Sequence, residues 1–426
     1  MNELALLGGD PVIKGSLKPF ISIGQEELEA VTKVMKKGVL SAYIAAAGDS
    51  FMGGEGVKEF EQKAADFFGA KHAIAVNSWT SGLICAVGAI GIEPGEEIIT
   101  SPWTMSATAS SILHWNAIPV FADIDPCTFN IDPLEVEKLI NERTRAILAV
   151  DIFGQSADMK ALHEIAEKYN LKLISDCAQS PGALYKDNYA GTQADIGGFS
   201  LNYHKHIHCG EGGILVTDDD YLAKRLCLIR NHAEAVIDSN DAEDLNNMVG
   251  YNFRMGEIEA AIAASQLDKL QQSVKSRQDA AQQLNQGLQS LKGIETPLVA
   301  QDCTHAYYVY GLKIDTDLLG VSRNRIVEAL KAEGVPALME GYVNIHRLPL
   351  FKNKIAYGTN VFPWTSSFYK GDVNYDLGIC PIAEDFHQST FLGVNLTLFD
   401  FNQADTSLVI DSFRKVWSNI ELLRKP

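Results

Sequence analysis

Between residues 72 and 175 short apolar runs alternate without interruption with segments of helical period, and this alternation constrains the fold more than any other feature of the chain. Residues 72–76, 97–100, 119–123, 146–150 and 171–175 have the length and apolarity of buried strands. Residues 80–90, 106–115, 134–140 and 160–169 between them carry helix periodicity. Strands joined through helices need crossover connections, so the predicted fold is α/β, with a mainly parallel sheet covered on both faces. Two helical patterns precede it, at 26–37 and at 58–68, where Phe60, Ala64, Phe67 and Phe68 cluster. The order breaks over 197–217, where two strand-like runs flank a His- and Gly-rich turn. From Glu257 a helical pattern continues to about Leu291 and carries the chain into a second, smaller α+β region. There, 305–314 reads as a strand and 323–333 and 405–423 as helices. The expected division is a large domain over 1–265 and a small C-terminal domain over 266–426. Residues 238–247 are polar and acidic and read as a surface loop.

Composition narrows the partners. A chain with 46% hydrophobic and 21% charged residues has a soluble globular composition. Its formal net charge of −18 argues against nucleic acid and anionic membrane surfaces, both of which select basic patches. Small anionic substrates stay open, because a pocket can be positive inside a negative shell. No basic segment followed by an apolar run and a cleavage site opens the sequence, and no apolar stretch approaches membrane length. The seven cysteines are odd in number and scattered, with no Cys-x-x-Cys pair. They read as reduced thiols of a cytoplasmic protein rather than a disulfide framework or zinc ribbon.

In an open α/β sheet, ligands sit beyond the carboxyl ends of strands, and three segments fall there. The first, Asn77-Ser78-Trp79-Thr80-Ser81-Gly82, ends a strand in small hydroxyl residues and opens a helix. Hydroxyls and free N–H groups at a helix start suit a phosphate; the same residues also form an ordinary N-cap. The second places Asp176 after an apolar strand, where a buried carboxylate can keep a cationic ring nitrogen protonated or can cap the following turn. In the third, Lys205 stands before Gly210-Glu211-Gly212-Gly213. Glycines beside a lysine allow a bulky group to approach the backbone, and a confined amine of depressed pKa can form an imine with an aldehyde.

The motifs Asp176-x-x-Gln179, Ser200-x-x-x-x-Lys205 and Gly210-Glu211-Gly212-Gly213 together resemble the signature of the DegT/DnrJ/EryC1/StrS family of sugar aminotransferases. The likeness extends from Leu4-Ala5-Leu6-Leu7-Gly8-Gly9 through Val57-Lys58-Glu59-Phe60-Glu61 and Gly250-Tyr251-Asn252-Phe253-Arg254-Met255 to His346-Arg347-Leu348-Pro349. It implies the aspartate-aminotransferase fold (fold type I) with pyridoxal 5′-phosphate as cofactor. By this resemblance Lys205 would form the imine and move the substrate proton, and Asp176 would pair with the pyridinium nitrogen. Gln179 would contact the ring's phenolic oxygen, while Ser200, Thr80 and Ser81 would hold the phosphate. Asn252 matches an asparagine that reaches the neighbouring subunit's phosphate, which implies a homodimer with shared sites. Arg254 would support that interface or an anionic substrate group, and His204 and His346 would approach the substrate.

Two positions depart from the family pattern. Gly or Ala usually stands at the position of Trp79, and an aromatic that stacks on the cofactor at that of Met105. Trp103, two residues earlier, points away if the segment is extended, so Met105 is expected to supply a thioether contact to the ring face. If residues 204–208 form a strand, His204, His206 and His208 share one face. No carboxylate or thiol there completes a zinc spacing, so pocket lining and packing are expected instead. A dehydratase branch of the family carries histidine in place of the lysine. Counting back five from Gly210 reaches Lys205, which favours the aminotransferase over the dehydratase and over a non-enzymatic scaffold. The implied reaction moves an amino group from L-glutamate or L-glutamine to a keto sugar, most often nucleotide-linked. A cyclitol ketone is the alternative, because the leading Leu-Gly-Gly segment also resembles that branch.

Overall fold

The apolar runs of the first half assemble into one sheet in the computed structural model, which describes residues 3–237 and 246–424. Its strands are β1 (His72–Val76), β2 (Glu97–Thr100), β3 (Ile118–Phe121), β4 (Thr144–Val150), β5 (Lys172–Asp176), β8 (Ile196–Ser200) and β9 (Gly213–Thr217). A separate hairpin is made by β6 (Leu184–Tyr185) and β7 (Asn188–Tyr189). The sheet order is β1-β9-β8-β5-β4-β2-β3; β9 is antiparallel to both neighbours and the remaining pairs are parallel. Every residue of β2, β3, β8 and β9 is buried. Helices cover both faces, which is why these strands read as continuous apolar runs rather than alternating ones.

Strand β3 closes one side of the sheet, and a later stretch of chain shields it. Tyr375 donates its hydroxyl to the Pro119 carbonyl at 2.7 Å, Trp364 Nε1 donates to the Tyr375 oxygen at 3.2 Å, and Tyr369 reaches Glu97. A covered edge cannot template pairing with another chain.

The second sheet, β10 (Ile294–Glu295), β11 (Val309–Ile314), β12 (Leu338–Met339) and β13 (Phe391–Asn395), is antiparallel in the order β10-β11-β13-β12. Its core includes Tyr310, Leu312, Ile326, Leu330, Val409 and Phe413. Leu4, Ile13 and Leu17 from the start of the chain pack into the same cluster.

Three expectations need adjustment. The helical pattern from Glu257 to about Leu291 is two helices, Glu257–Leu267 and Leu270–Leu288. The break follows from anchoring on both sides of it: Gln266 and Lys269 both bind Glu27 and the Ser22 carbonyl. The first helix then packs on Gln25–Lys37 and Glu55–Phe68, and the second turns to meet Gln403–Ser418. The strand expected over 305–314 begins only at Val309, because Tyr307 takes a φ of 53°, which no strand tolerates. The acidic stretch 238–247 lies outside the described residues over 238–245.

Candidate active site

The carboxyl ends of β1, β2, β4, β5 and β8 point the same way and surround one cavity. Asp176 ends β5 and is buried. Both its oxygens accept hydrogen bonds: Oδ1 from Trp79 Nε1 at 2.6 Å and from the Ala178 N–H at 3.2 Å, Oδ2 from Thr108 Oγ1 at 2.8 Å. Burial pushes its carboxyl above the usual range, and these donors pull in the opposite direction.

After β8 the chain does not continue as a strand. It makes a turn in which the Lys205 N–H donates to the Asn202 carbonyl at 2.9 Å and Leu201 N–H to that of Gly212 at 2.9 Å. This turn brings the Lys205 amine into the cavity, 4.2 Å from the Tyr308 ring centroid. Desolvation lowers the amine to about 8, with the Asp176 charge opposing the shift. A lowered lysine pKa means that the reactive neutral amine gains population from about pH 8, not two units higher. The rate of imine formation by cofactor-free protein is therefore expected to rise with a midpoint near pH 8 in stopped-flow absorbance. A midpoint above pH 10 would show the amine to be solvated.

The hydroxyl cluster lies at the start of the helix Trp79–Ala89. Ser78 is its N-cap, accepting from the Ser81 N–H at 3.1 Å. Ser78, Thr80 and Ser200 line the cavity. Ser81 does not: its hydroxyl donates to Asn77 Oδ1 at 2.7 Å, so of the expected phosphate hydroxyls this one is already committed. Asn202 lines the cavity as well, its amide held by both Glu211 oxygens at 2.8 Å while its Oδ1 is buried without a partner.

The other expected residues separate into two groups. Gln179 lies in the cavity, accepting from the Phe153 N–H at 2.9 Å and donating to the Tyr342 oxygen at 3.1 Å. Met105 also lines it and is half exposed, whereas Trp103 is fully buried and donates to the Tyr342 carbonyl. His204 lines the cavity, with its ring pushed down to about 4 by burial and the neighbouring Lys205 charge. His206 is buried behind it on the Ala306 carbonyl at 2.8 Å. The three histidines sit on a turn, so the one-face alternation required for a strand does not apply. His346 is not brought to the cavity. It is buried and pairs with Glu384 at 2.9 Å, which fixes the ring. Arg254 lines a neighbouring cleft with Asn77, Tyr203 and Glu211, and Asn252 is exposed outside the cavity.

Sequence reasoning missed Thr108, Asn202, Tyr308 and Tyr342, and saw Trp79 only as a departure. Thr108 is the second residue of the helix Ala107–His114, one hydroxyl among several there, and gives no sign of its target. Tyr308 and Tyr342 come from distant parts of the chain, and nothing local marks the first as facing Lys205 or the second as meeting Gln179.

The donor set fits pyridoxal 5′-phosphate. A desolvated amine, a buried carboxylate, two hydroxyls at a helix start with a third at the end of β8, and an unpartnered amide oxygen supply one group for the aldehyde, one for the ring nitrogen and several for the phosphate. On a mostly parallel seven-stranded sheet with a second antiparallel one, this arrangement defines a fold-type I, pyridoxal-phosphate-dependent aminotransferase. The model of the DegT/DnrJ/EryC1/StrS aminotransferase family matches residues 22–381. A GDP-perosamine synthase of Caulobacter vibrioides is 36% identical over 66% of this chain and 75% of its own. A putative L-glutamine:3-amino-2,3-dideoxy-scyllo-inosose aminotransferase of Streptoalloteichus tenebrarius is 32% identical over 99% of this chain and 100% of its own. The crystal structure of an aminotransferase from Psychrobacter cryohalolentis superposes with a TM-score of 0.80 at 26% identity, covering 95% of this chain and all of that one. The chain belongs to the DegT/DnrJ/EryC1/StrS family of pyridoxal-phosphate-dependent sugar aminotransferases.

Proposed function

We propose that this protein transfers an amino group from L-glutamate or L-glutamine to the carbonyl carbon of a nucleotide-linked keto sugar, with Lys205 and Asp176 as its catalytic pair. The observation that carries the reading is the entry of the Lys205 amine into the same cavity as the buried, doubly anchored Asp176. When bound, pyridoxal phosphate supplies an electron sink for the carbon that bears the amino group. Asp176 holds the positive charge of the ring nitrogen, and the Gln179 amide faces the ring's oxygen. Ser78, Thr80, Ser200 and the N-terminus of Trp79–Ala89 receive the phosphate. Lys205 Nζ takes the proton from the donor's α-carbon in one half-reaction and returns one to the sugar carbon in the other. With its pKa near 8, it serves as acid or base close to neutrality. His204 closes the substrate side as a neutral ring.

The Lys205 amine enters the cavity that holds Asp176, with its pKa lowered to about 8, whereas the ring of His204 is held near 4; this supports amination over the dehydratase reading. In this reading the protein is a cytoplasmic homodimer. Asn252 is exposed outside its own cavity, a placement suited to a phosphate held by a second copy. The domain division proposed is 1–265 and 266–426, with residues 4–17 lent to the smaller core. No helix among the described residues is long and apolar enough to cross a membrane.

A cyclitol ketone is the second reading, favoured by the end-to-end match to the scyllo-inosose relative. Thermal unfolding with UDP, dTDP or GDP separates the two. A nucleotide at 100 times its Kd adds about 2.7 kcal/mol of stability, enough to raise the Tm measurably. A rise with one nucleotide identifies the sugar carrier, and no rise with any, together with amination of scyllo-inosose, would overturn the nucleotide reading.

A further inference from the structure

Trp79 stands in the cavity floor in a way that a space-filling residue would not require. Its indole lies against two glycines, and a third packs on its backbone. A Cβ at Gly198 would come within 2.5 Å of the ring, one at Gly82 within 2.8 Å, and one at Gly213 within 2.9 Å of the Trp79 backbone. Two of these glycines lie on β8 and β9 and the third one turn along Trp79's own helix, so strand and helix both leave room for the ring. From this bed the N–H projects to Asp176 Oδ1 at 2.6 Å, a short charge-assisted hydrogen bond. Indole nitrogen is a donor only and cannot reverse the bond. The opposite oxygen is held by Thr108.

We propose that Trp79 is a positioning residue of the cofactor site: its indole N–H, opposite Thr108, clamps the Asp176 carboxylate and sets how much of the shared proton the cofactor's ring nitrogen keeps. The inference rests on the reading that Asp176 meets that nitrogen. A donor to a carboxylate lowers its affinity for a proton, so the clamp leaves the proton on the ring. Without the donor the proton moves toward Asp176 and the ring loses positive charge. A less positive ring repels the proton on the Lys205 imine nitrogen less, and that nitrogen keeps its proton to higher pH.

The sign of the effect can be read spectroscopically, apart from turnover. In protein loaded with pyridoxal phosphate, the long-wavelength absorbance band is titrated with pH for wild type and W79F, which keeps a ring and loses the donor. One hydrogen bond to a charged group corresponds to roughly one pH unit or more, part of which reaches the imine. The midpoint is expected to move up by about half a unit to one unit. T108V, which removes the opposing donor, is expected to move it in the same direction. Should W79F fail to fold, β-(3-benzothienyl)alanine incorporated at position 79 keeps the indole's volume, lacks the N–H, and must give the same upward shift. An unchanged or lowered midpoint in the folded variant would show that the indole only fills space. If wild-type protein takes up no pyridoxal phosphate, the Asp176 reading itself falls and this inference with it. A normal wild-type spectrum with an unmoved variant overturns the clamp alone.

Discussion

Replacing Lys205 with alanine is expected to remove the yellow absorbance of the cofactor-loaded protein and to slow amino transfer by about 10⁴-fold or more. Two losses combine. The amine that forms the imine disappears, so the cofactor is retained only through its phosphate and ring contacts. The base that moves the proton disappears too, and positioned acid–base groups alone supply about 10²- to 10⁴-fold. No other side chain in the cavity can stand in. The nearest candidate, His204, has its ring held near pKa 4, and His206 is turned away toward the Ala306 carbonyl. The fold should tolerate the change, because Lys205 is held mainly through its own N–H and the Asn202 carbonyl, and its amine spends burial energy rather than gaining it. Single-turnover release of the 2-oxo acid on adding L-glutamate or L-glutamine measures the effect. Partial rescue by a small primary amine in the buffer would assign the loss to the missing base. Turnover within tenfold of wild type would move the catalytic role to another residue.

How much of this was readable from residues alone depends on how local the information is. The seven-stranded sheet was legible because buried parallel strands must be apolar along their whole length and their helices amphipathic, so the pattern repeats over a hundred residues. The break at Asp268 was not, because nothing in the local period shows that Gln266 and Lys269 are drawn to Glu27. The site divides in the same way. Lys205, Asp176 and Thr80 sit at strand ends or helix starts, where chemistry is expected, and the structure brings all three to one cavity. Ser81 looked equivalent to Thr80 in sequence, but one step along a helix turns a side chain by a hundred degrees, and its hydroxyl meets Asn77 instead. His346 lies outside the residues that line the cavity, and its sequence does not show this, because its partner Glu384 is 38 positions away and only the tertiary fold buries the ring. Tyr308, beside the Lys205 amine, and Tyr342, on the Gln179 amide, come from the second half of the chain, a convergence with no trace in spacing.

Asp176→Asn tests the other half of the catalytic pair and is expected to slow the amino-donor half-reaction by about 10²- to 10³-fold, the range for losing one preorganised electrostatic contact. Asparagine has nearly the same shape, so the cavity volume is kept and only the charge is lost. Without a carboxylate opposite it, the ring nitrogen has no counterion in a site shielded from water, gives up its proton, and no longer draws charge from the substrate carbon. The surrounding donors make the amide a poor replacement in a second way. Trp79 Nε1 and Thr108 Oγ1 approach opposite oxygens of Asp176, and the Asn amide presents an oxygen to only one of them. Trp79 can only donate, so the amide oxygen must turn to the indole, and its NH₂ then faces the threonine hydroxyl. Thr108 can rotate to accept, whereas the indole cannot, so this orientation is the one the variant adopts. Neutral hydrogen bonds then replace the charge-assisted ones, while the burial that opposes the Asp176 charge is relieved, so the variant is expected to fold. The prediction therefore has two parts that separate charge from structure. Cofactor uptake by D176N should persist with reduced affinity, while the rate of absorbance loss with saturating L-glutamate or L-glutamine falls by two to three orders of magnitude. Should that rate stay within threefold of wild type in folded, cofactor-loaded D176N, the carboxylate would not be the ring nitrogen's partner, and the phosphate and imine contacts would have to orient the cofactor without it.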